Sequence, residues 1–273
     1  MINVKFNNGI EMPIVGLGTY KITDKKELYD TIKCAINSGY RKFDTAQFYD
    51  NEIELGDAIR KIGINREEIF ITTKIWNTNQ GYHLTRKSFE DSLKKLNMDY
   101  VDLLLIHWPG QNKERYLDTY RALENICQSK KAKSIGLSNF EINHLNDIFA
   151  HCNIAPVLNQ IERHPSLQRN ELIKFCKKHN IIVEAWSPLA RGKFINNETI
   201  QDIANKYNKT ISQIILRWDI ENNISVIPKS ITKQRIEENI NIFDFELDEE
   251  DIEKINELDN NERTGIDPLE FDF

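Results

Sequence analysis

The stretch RKFDTAQFYDNE, residues 41–52, contains one complete strand-to-helix unit. Residues 41–46 have an apolar centre at Phe43 among β-branched and aromatic neighbours, a composition typical of a short β-strand. Asp44 lies near the far end of this strand, and Tyr49 follows in a polar turn. The letters DNE at residues 50–52 are typical of the start of a helix. The stretch therefore predicts a β-α unit with a carboxylate and a phenol at the connection.

The same strand-to-helix pattern recurs almost to the C-terminus. Strands are predicted at residues 15–19, 41–46, 69–75, 101–107, 132–137, 157–160, 181–185 and 225–227. Their interiors are mostly continuous apolar runs, as expected of parallel strands that are buried on both faces. Amphipathic helices are predicted at residues 24–37, 52–62, 85–96, 114–129, 141–149, 169–179, 198–207, 212–222 and 232–239. Eight such units favour an α/β fold, a (β/α)8 TIM barrel, over a six-stranded open sheet, which would leave two strands without a place.

Additional elements are predicted at both ends of the chain. Residues 4–6 and 10–12 flank an Asn-Gly turn and predict an N-terminal β-hairpin. An extra C-terminal helix is predicted at residues 247–258, before a tail that contains Phe271 and Phe273. Two alternatives are open for this tail: it is disordered, or it folds over the barrel mouth. Because no linker or repeat divides the chain, residues 1–273 are predicted to form one domain.

The composition, with 40% hydrophobic and 29% charged residues, is ordinary for a globular protein. The net charge of −6 hides an uneven distribution, since residues 244–273 hold 13 acidic and 2 basic residues. The remaining body is mildly basic, which suits an anionic cofactor, but it has no Lys/Arg cluster of the kind that binds nucleic acid. The longest apolar run, residues 103–106, is far shorter than the roughly 20 residues that span a membrane. The N-terminus lacks the features of a signal peptide, so a cytoplasmic location is expected.

Polar side chains with acid-base chemistry follow three consecutive predicted strands. Asp44, Lys74 and His107 lie at the ends of the second, third and fourth strands, and Tyr49 lies in the loop after the second. Each of them alone has an ordinary structural explanation. In a (β/α)8 barrel, however, all these strand ends meet at one rim, where active sites are found. The four residues together therefore predict a proton-transfer site.

Six motifs together resemble the aldo-keto reductase family. They are DTAQFY at 44–49, ITTK at 71–74, LIHWP at 105–109, IGLSNF at 135–140, NQIERHP at 159–165 and IPKS at 227–230. The resemblance extends in register from residue 16 to residue 239. Within the family, the chain is similar to short-looped microbial reductases of diketogluconate and of glyoxal or methylglyoxal.

The resemblance implies an oxidoreductase that uses NADPH to reduce aldehydes, α-dicarbonyls or keto-sugars to alcohols by hydride transfer. Tyr49 would be the general acid of the reduction. Lys74, oriented by Asp44, would favour the phenolate and lower the pKa of Tyr49. His107 would donate a hydrogen bond to the carbonyl oxygen.

Gly16-Leu17-Gly18 lacks the third glycine of a dinucleotide fingerprint. The same resemblance instead implies that the cofactor binds in a groove at the barrel mouth. It implies that Trp186, where tyrosine is common in the family, stacks on the nicotinamide. Other contacts are implied for the carboxamide (Ser138, Asn139, Gln160), the pyrophosphate (Ser187, Leu189, Gly192, with Arg191 as a further candidate), the 2′-phosphate (Lys229, Ser230, Thr232, Arg235) and the adenine (Glu238, Asn239). The cations at 229 and 235 suit a dianionic phosphate and favour NADPH over NADH.

Tyr20, Trp76, Trp108 and the tail are the candidates for contact with a small-molecule carbonyl substrate. The short connection at residues 110–113 predicts an open mouth. Two other functions are considered: a cofactor-binding regulatory subunit with little turnover, and a barrel in which Lys74 forms a Schiff base. The chain is expected to be a monomer without membrane or nucleic-acid partners, and His144, His151 and Cys152 do not make an ordered metal-ligand set.

Overall fold

Ten strands, eight of them parallel, organise the computed structural model, which describes residues 2–272. In chain order they are β1 (Asn3–Lys5), β2 (Glu11–Pro13), β3 (Leu17–Gly18), β4 (Lys42–Asp44), β5 (Phe70–Ile75), β6 (Val101–Ile106), β7 (Ala132–Ser138), β8 (Leu158–Glu162), β9 (Ile182–Trp186) and β10 (Ser225–Val226). The first two pair antiparallel as the predicted hairpin. The strands from β3 to β10 pair in sequential order, each parallel to the next.

Hydrogen bonds between the two ends of the parallel sheet close it into a barrel. Val15 forms a parallel bridge with Val226. The amide of Gly16 donates to the carbonyl oxygen of Val226 at 2.9 Å, and the amide of Gly18 donates to that of Pro228 at 3.2 Å. The predicted (β/α)8 fold is confirmed.

Helices follow the strands as the apolar periodicity predicts. They are α1 (Lys25–Asn37), α2 (Glu52–Ile62), α3 (Tyr82–Leu96), α4 (Lys113–Gln128), α5 (Ile142–His151), α6 (Asn170–Lys178), α7 (Glu198–Tyr207), α8 (Ile211–Glu221), α9 (Lys233–Ile240) and the extra C-terminal α10 (Glu249–Asn256). The largest difference from the predicted bounds is at α3, which begins three residues early, directly after Gly81 with its φ of 99°. Among the described residues, no helix has both the length and the apolar character needed to cross a bilayer.

The apolar core lies mainly between the strands and the surrounding helices, where each helix buries one face. The N-terminal hairpin adds Phe6 and Met12 to a cluster with Leu103, Leu105 and Leu158 at the barrel bottom. The barrel interior above this cluster is polar. It contains buried side chains from five strands: Lys42, Asp44, Lys74, Gln160, Glu184 and Ser225.

The described part of the tail, to residue 272, is ordered and folds over the barrel mouth. Of the two alternatives for the tail, disorder and packing over the mouth, the second is confirmed for these residues. The amides of Thr264 and Gly265 donate to Oε1 of Glu162 at 2.7 and 2.9 Å. Phe271 packs edge-on against Trp108, with ring centroids 4.9 Å apart. The expectation for Phe273 falls outside the described residues.

Candidate active site

Lys74 occupies the centre of the polar cluster at the barrel mouth. Its Nζ donates to Oδ1 of Asp44 at 2.5 Å, to the carbonyl oxygen of Thr45 at 3.0 Å and to the hydroxyl of Tyr49 at 3.1 Å. The three protons of the ammonium are thus all engaged, and the side chain is fully buried. The arrangement fixes a positive charge between a carboxylate and a phenol.

The turn after β4 places Tyr49 beside Lys74. Residues Gln47–Tyr49 form one 3-10 turn, which Asp50 ends in the left-handed region at φ 52°. Asn51, predicted as part of a helix cap, makes no capping bond from its side chain. Its Nδ2 instead donates to the carbonyl oxygens of Thr19 and Ile22 at 2.9 and 3.0 Å. Asn51 therefore ties this turn to the loop after β3.

Burial dominates the proton affinity of Tyr49. Burial raises its pKa from the ordinary 10 to about 12, while the neighbouring Lys74 acts in the opposite direction. The expectation of a lowered Tyr49 pKa is therefore wrong in its net result. The free energy lost when the phenolate is removed from water exceeds the stabilisation that the ammonium of Lys74 provides. Lys74 itself is destabilised as a cation by burial, but Asp44 and Tyr49 outweigh that effect and raise its pKa. At neutral pH, the site combines an ammonium with a neutral phenol.

His107 faces the same space in its neutral form. Burial, followed by the charge of Lys74, holds the pKa of His107 well below 6.5. Its ring lies edge-on to Tyr49 and Trp76, with centroids 5.7 and 5.1 Å away. Among residues 2–272, Nδ1 of His107 has no hydrogen-bond partner. A neutral imidazole retains one N–H group, so His107 can donate a hydrogen bond without carrying charge.

Aromatic side chains border the cluster on its solvent side. Phe48 stacks on Trp76 at 4.0 Å, and Tyr20 lies 5.0 Å from Tyr49 between ring centroids. Phe48 is 48% exposed, although it is large and apolar. Sequence reasoning missed Phe48, and the only available signal was its position directly before Tyr49. Trp108 lies at the part of the mouth that the tail covers. Its ring centroid is 6.4 Å from that of Trp186, and its ring contacts Phe271 of the tail.

The four residues assigned to the nicotinamide form one hydrogen-bonded group next to Asp44. Nε1 of Trp186 donates to Oδ1 of Asn139 at 2.8 Å, and Nδ2 of Asn139 donates to Oγ of Ser138 at 3.1 Å. Ser138 donates to the carbonyl oxygen of Gln160 at 3.1 Å. The side chain of Gln160 donates in turn to Oδ2 of Asp44 at 2.8 Å. The structure brings this predicted group and the predicted proton-transfer group together.

Comparisons with known proteins identify the family. Residues 14–260 match the sequence model of the Aldo/keto reductase family. The chain is 48% identical over 270 residues to the glyoxal reductase of Bacillus subtilis, covering 99% of this chain and 97% of that protein. It is 41% identical over 270 residues to the methylglyoxal reductase DkgA of Escherichia coli O157:H7, covering 98% and 97%.

The chain belongs to the aldo/keto reductase family.

Solved structures of other members superimpose closely on this aldo/keto reductase. MGS-M4, an aldo-keto reductase from a Medee basin deep-sea metagenome library, has a TM-score of 0.96 and 46% identity, covering 99% of this chain and 100% of its own. A mutant of Gox0644 in complex with NADPH has a TM-score of 0.95 and 40% identity, covering 100% and 99%. The similarity thus extends over the hairpin, the barrel and the tail.

In this aldo/keto reductase, the loop after β9 has an unusual backbone. Four of its residues lie in the left-handed region: Ser187 at φ 49°, Ala190 at 46°, Arg191 at 53° and Gly192 at 90°. Leu189 is half-buried and packs on the core. The amides of Ala190 and Gly192 donate to the carbonyl oxygens of Ser187 and Leu189, each at 2.8 Å, so the loop forms consecutive tight turns.

The segment after β10 begins beside this loop, because the amide of Ile227 donates to the carbonyl oxygen of Ala185 at 3.3 Å. Lys229 and Arg235 are exposed, and neither forms an ion pair with any of the described residues. Oγ of Ser230 accepts from the amide of Thr232 at 3.1 Å. The two residues assigned to adenine are the half-buried Glu238 and the buried Asn239. The segment after β10 therefore carries two exposed cations that have no ion-pair partner among the described residues.

Proposed function

We propose that this chain is an NADPH-dependent oxidoreductase that reduces aldehydes, α-dicarbonyls or keto-sugars to alcohols. The observation that carries the proposal is the position of the Lys74 ammonium, in contact with both Asp44 and the hydroxyl of Tyr49. The activities named for the relatives, glyoxal and methylglyoxal reduction, support α-dicarbonyls as the substrate class.

The residues present fit the dinucleotide. Lys229 and Arg235 offer positive charges that no acidic side chain in residues 2–272 neutralises, as a 2′-phosphate requires. The half-buried Trp186 offers an aromatic face beside Asn139. When bound, NADPH supplies the hydride.

Tyr49 supplies the proton. As the carbonyl carbon is reduced, its oxygen gains negative charge and takes the proton from the phenol of Tyr49. The phenolate that remains is stabilised by the ammonium of Lys74, which Asp44 keeps charged and oriented. General acid catalysis of this kind typically contributes about 10²- to 10⁴-fold in rate. In the direction of alcohol oxidation, Tyr49 is the corresponding base.

His107 positions the carbonyl oxygen. Its imidazole is neutral at physiological pH because its pKa is held well below 6.5 by burial and by Lys74. A neutral donor strengthens its hydrogen bond as charge develops on the oxygen, and it does not compete with Tyr49 for the proton.

The Schiff-base alternative conflicts with the state of Lys74. A nucleophilic amine needs a free lone pair, which burial or a neighbouring cation produces by lowering the pKa. Here Asp44 and Tyr49 raise the pKa of Lys74, and its three protons are engaged. A regulatory subunit with little turnover is disfavoured because Asp44, Tyr49, Lys74 and His107 are all present in one cluster.

The direct test is to follow the decay of NADPH absorbance with methylglyoxal and with nitrobenzaldehyde. Steady turnover with NADPH, and much weaker turnover with NADH, is the expected result. NADPH binding without turnover on any of a panel of carbonyls would favour the regulatory alternative.

We further infer that residues 1–273 act as one domain and as a monomer. The inference of one domain is supported by the continuous barrel from β3 to β10 and by the tail that returns to its mouth. Light scattering should give the mass of one chain, and thermal unfolding should show one transition. A dimer mass or two separate transitions would contradict the respective inference.

A further inference from the structure

A second buried ion pair lies inside the barrel, two residues along β4 from the pair of Asp44 and Lys74. The ammonium of Lys42, on β4, contacts Oε2 of Glu184, on β9, and both side chains are fully buried. Oγ of Ser225 accepts from Lys42 at 2.7 Å and donates to Oε2 of Glu184 at 2.8 Å. This pair has no part in the proton transfer described above.

The chain makes room for this pair. A Cβ atom on Gly16 would lie 2.3 Å from Cε of Lys42, so a larger residue there would displace the lysine side chain. Interiors of (β/α)8 barrels are usually filled by branched apolar side chains. Burying two charges costs desolvation energy, and replacing such pairs by apolar residues is often neutral or stabilising. Fold stability is therefore a weak reason for the presence of Lys42 and Glu184.

One side-chain amide joins the two ion pairs. Nε2 of Gln160 donates to Oδ2 of Asp44 at 2.8 Å and to Oε1 of Glu184 at 3.0 Å. An amide nitrogen has two protons, and each is taken by one carboxylate. The opposite orientation would turn the carbonyl oxygen of Gln160 towards two carboxylate oxygens and is electrostatically unfavourable. Glu184 and Asp44 together therefore set the orientation of the amide.

The fixed orientation leaves one polar atom of Gln160 for a ligand. Oε1 forms no hydrogen bond with any residue in the described range 2–272, and it is not among the fully buried polar atoms that lack a partner. This atom is an acceptor, so it is suited to the NH₂ group of a carboxamide and unsuited to a carbonyl oxygen.

We propose that the Lys42–Glu184 ion pair is a positioning element of the cofactor site, which holds the amide of Gln160 so that its oxygen accepts from the nicotinamide carboxamide. Lys42 supplies the counter-charge that keeps Glu184 available as an acceptor. Glu184 acts through Gln160 and touches neither the substrate nor the cofactor. The inference rests on the proposed function, because it uses the assignment of Gln160 to the carboxamide.

The test compares double variants that remove the buried charge but differ in whether an acceptor remains. In Lys42→Met/Glu184→Gln, the new amide oxygen can still accept from Gln160, and its nitrogen can donate to Ser225. In Lys42→Met/Glu184→Met and Lys42→Met/Glu184→Val, no oxygen remains at position 184. Two apolar versions are made so that binding can still be measured on one of them if the other folds poorly. Each full-length protein is titrated by calorimetry with NADPH and with adenosine 2′,5′-bisphosphate, which lacks the nicotinamide.

The apolar versions are expected to bind NADPH about tenfold more weakly, the effect of losing one oriented hydrogen bond. Their affinity for adenosine 2′,5′-bisphosphate should stay within about twofold of wild type, and the Gln version should bind both ligands normally. If the ion pair had a purely structural role, its loss would weaken the affinities for both ligands equally. The ratio of the two affinities is therefore the decisive quantity.

Unchanged NADPH affinity in the apolar versions would overturn the proposal, as would an equal loss for both ligands. If the Gln version folds and neither apolar version does, the polar side chain at position 184 serves barrel stability and the proposal is wrong. A wild-type protein that fails to bind NADPH would instead refute the proposed function itself. Turnover of methylglyoxal by the wild-type protein is measured in parallel. It distinguishes a failure of the positioning proposal from a failure of the proposed function.

Discussion

The ammonium of Lys74 lies 3.1 Å from the hydroxyl of Tyr49. This contact connects the proposed proton donor to a fixed positive charge, which Asp44 holds from the other side. The phenol is nevertheless a weaker acid than free tyrosine, because its burial outweighs the ammonium. The ammonium therefore matters most after the proton has left, when it stabilises the phenolate.

Replacement of Tyr49 by phenylalanine removes the proton donor and keeps the ring. We expect kcat for methylglyoxal reduction to fall by about 10²- to 10⁴-fold, while the Kd for NADPH stays within about twofold. Stopped-flow turnover and fluorescence titration measure the two quantities. Tyr29→Phe, on α1, is the matched control and should behave as wild type. Near-normal turnover in Tyr49→Phe would show that another group protonates the alkoxide.

The rate of reduction should depend little on pH between about pH 6 and pH 9. Tyr49, with its pKa raised to about 12, keeps its proton above this range. His107, with its pKa held well below 6.5, stays neutral within it. The measurement is the pH profile of kcat with saturating NADPH and methylglyoxal. A titration of kcat near pH 7 that disappears in His107→Gln would contradict the neutral state of His107.

Substitution of Arg235 by alanine should weaken NADPH binding by roughly 10- to 100-fold, since a charged hydrogen bond to phosphate is lost. NADH affinity should hardly change, because NADH has no 2′-phosphate. Lys233→Ala on the same helix is the control, as Lys233 faces Glu237 at 3.7 Å. An unchanged NADPH-to-NADH affinity ratio in Arg235→Ala would refute the placement of the phosphate.

Phe48→Ala should remove apolar contact area for large substrates. The ring of Phe48 stacks on Trp76 at 4.0 Å and is half exposed at the mouth. We expect KM for nitrobenzaldehyde to rise about tenfold and KM for methylglyoxal less than about threefold, because only the aromatic substrate is large enough to lose this packing. Leu84→Ala, which removes an exposed apolar side chain of α3, controls for a general effect. An equal rise for both substrates would argue against direct contact with Phe48.

Gly265→Ala tests the contact between the tail and the site. A Cβ atom at position 265 would lie 2.4 Å from the indole of Trp186 and 3.2 Å from Oε2 of Glu162. The tail or the indole must move, so tryptophan fluorescence should change and the tail should become more sensitive to protease. Ile266→Ala, at an exposed neighbour, should leave both measurements unchanged.

The sequence alone was sufficient for the barrel and for most of the proposed site. Continuous apolar runs such as the one at residues 103–106 identify buried parallel strands, and parallel strands direct their carboxyl ends to one rim. Asp44, Lys74 and His107 could therefore be grouped without a structure. Phe48 was missed because its exposure depends on Trp76 and Tyr20, which come from other loops.

What the sequence by itself determined is the order of β-α units, the rim to which the polar strand ends belong and the family. These follow from local periodicity and from motifs that lie within a few residues of one another. Only the tertiary structure decided the fold of the tail, the net direction of the Tyr49 pKa and the pairing of Lys42 with Glu184, 142 positions apart. The physical reason is that burial and long-range contact arise from packing between distant segments, and desolvation depends on all the neighbours that packing brings together.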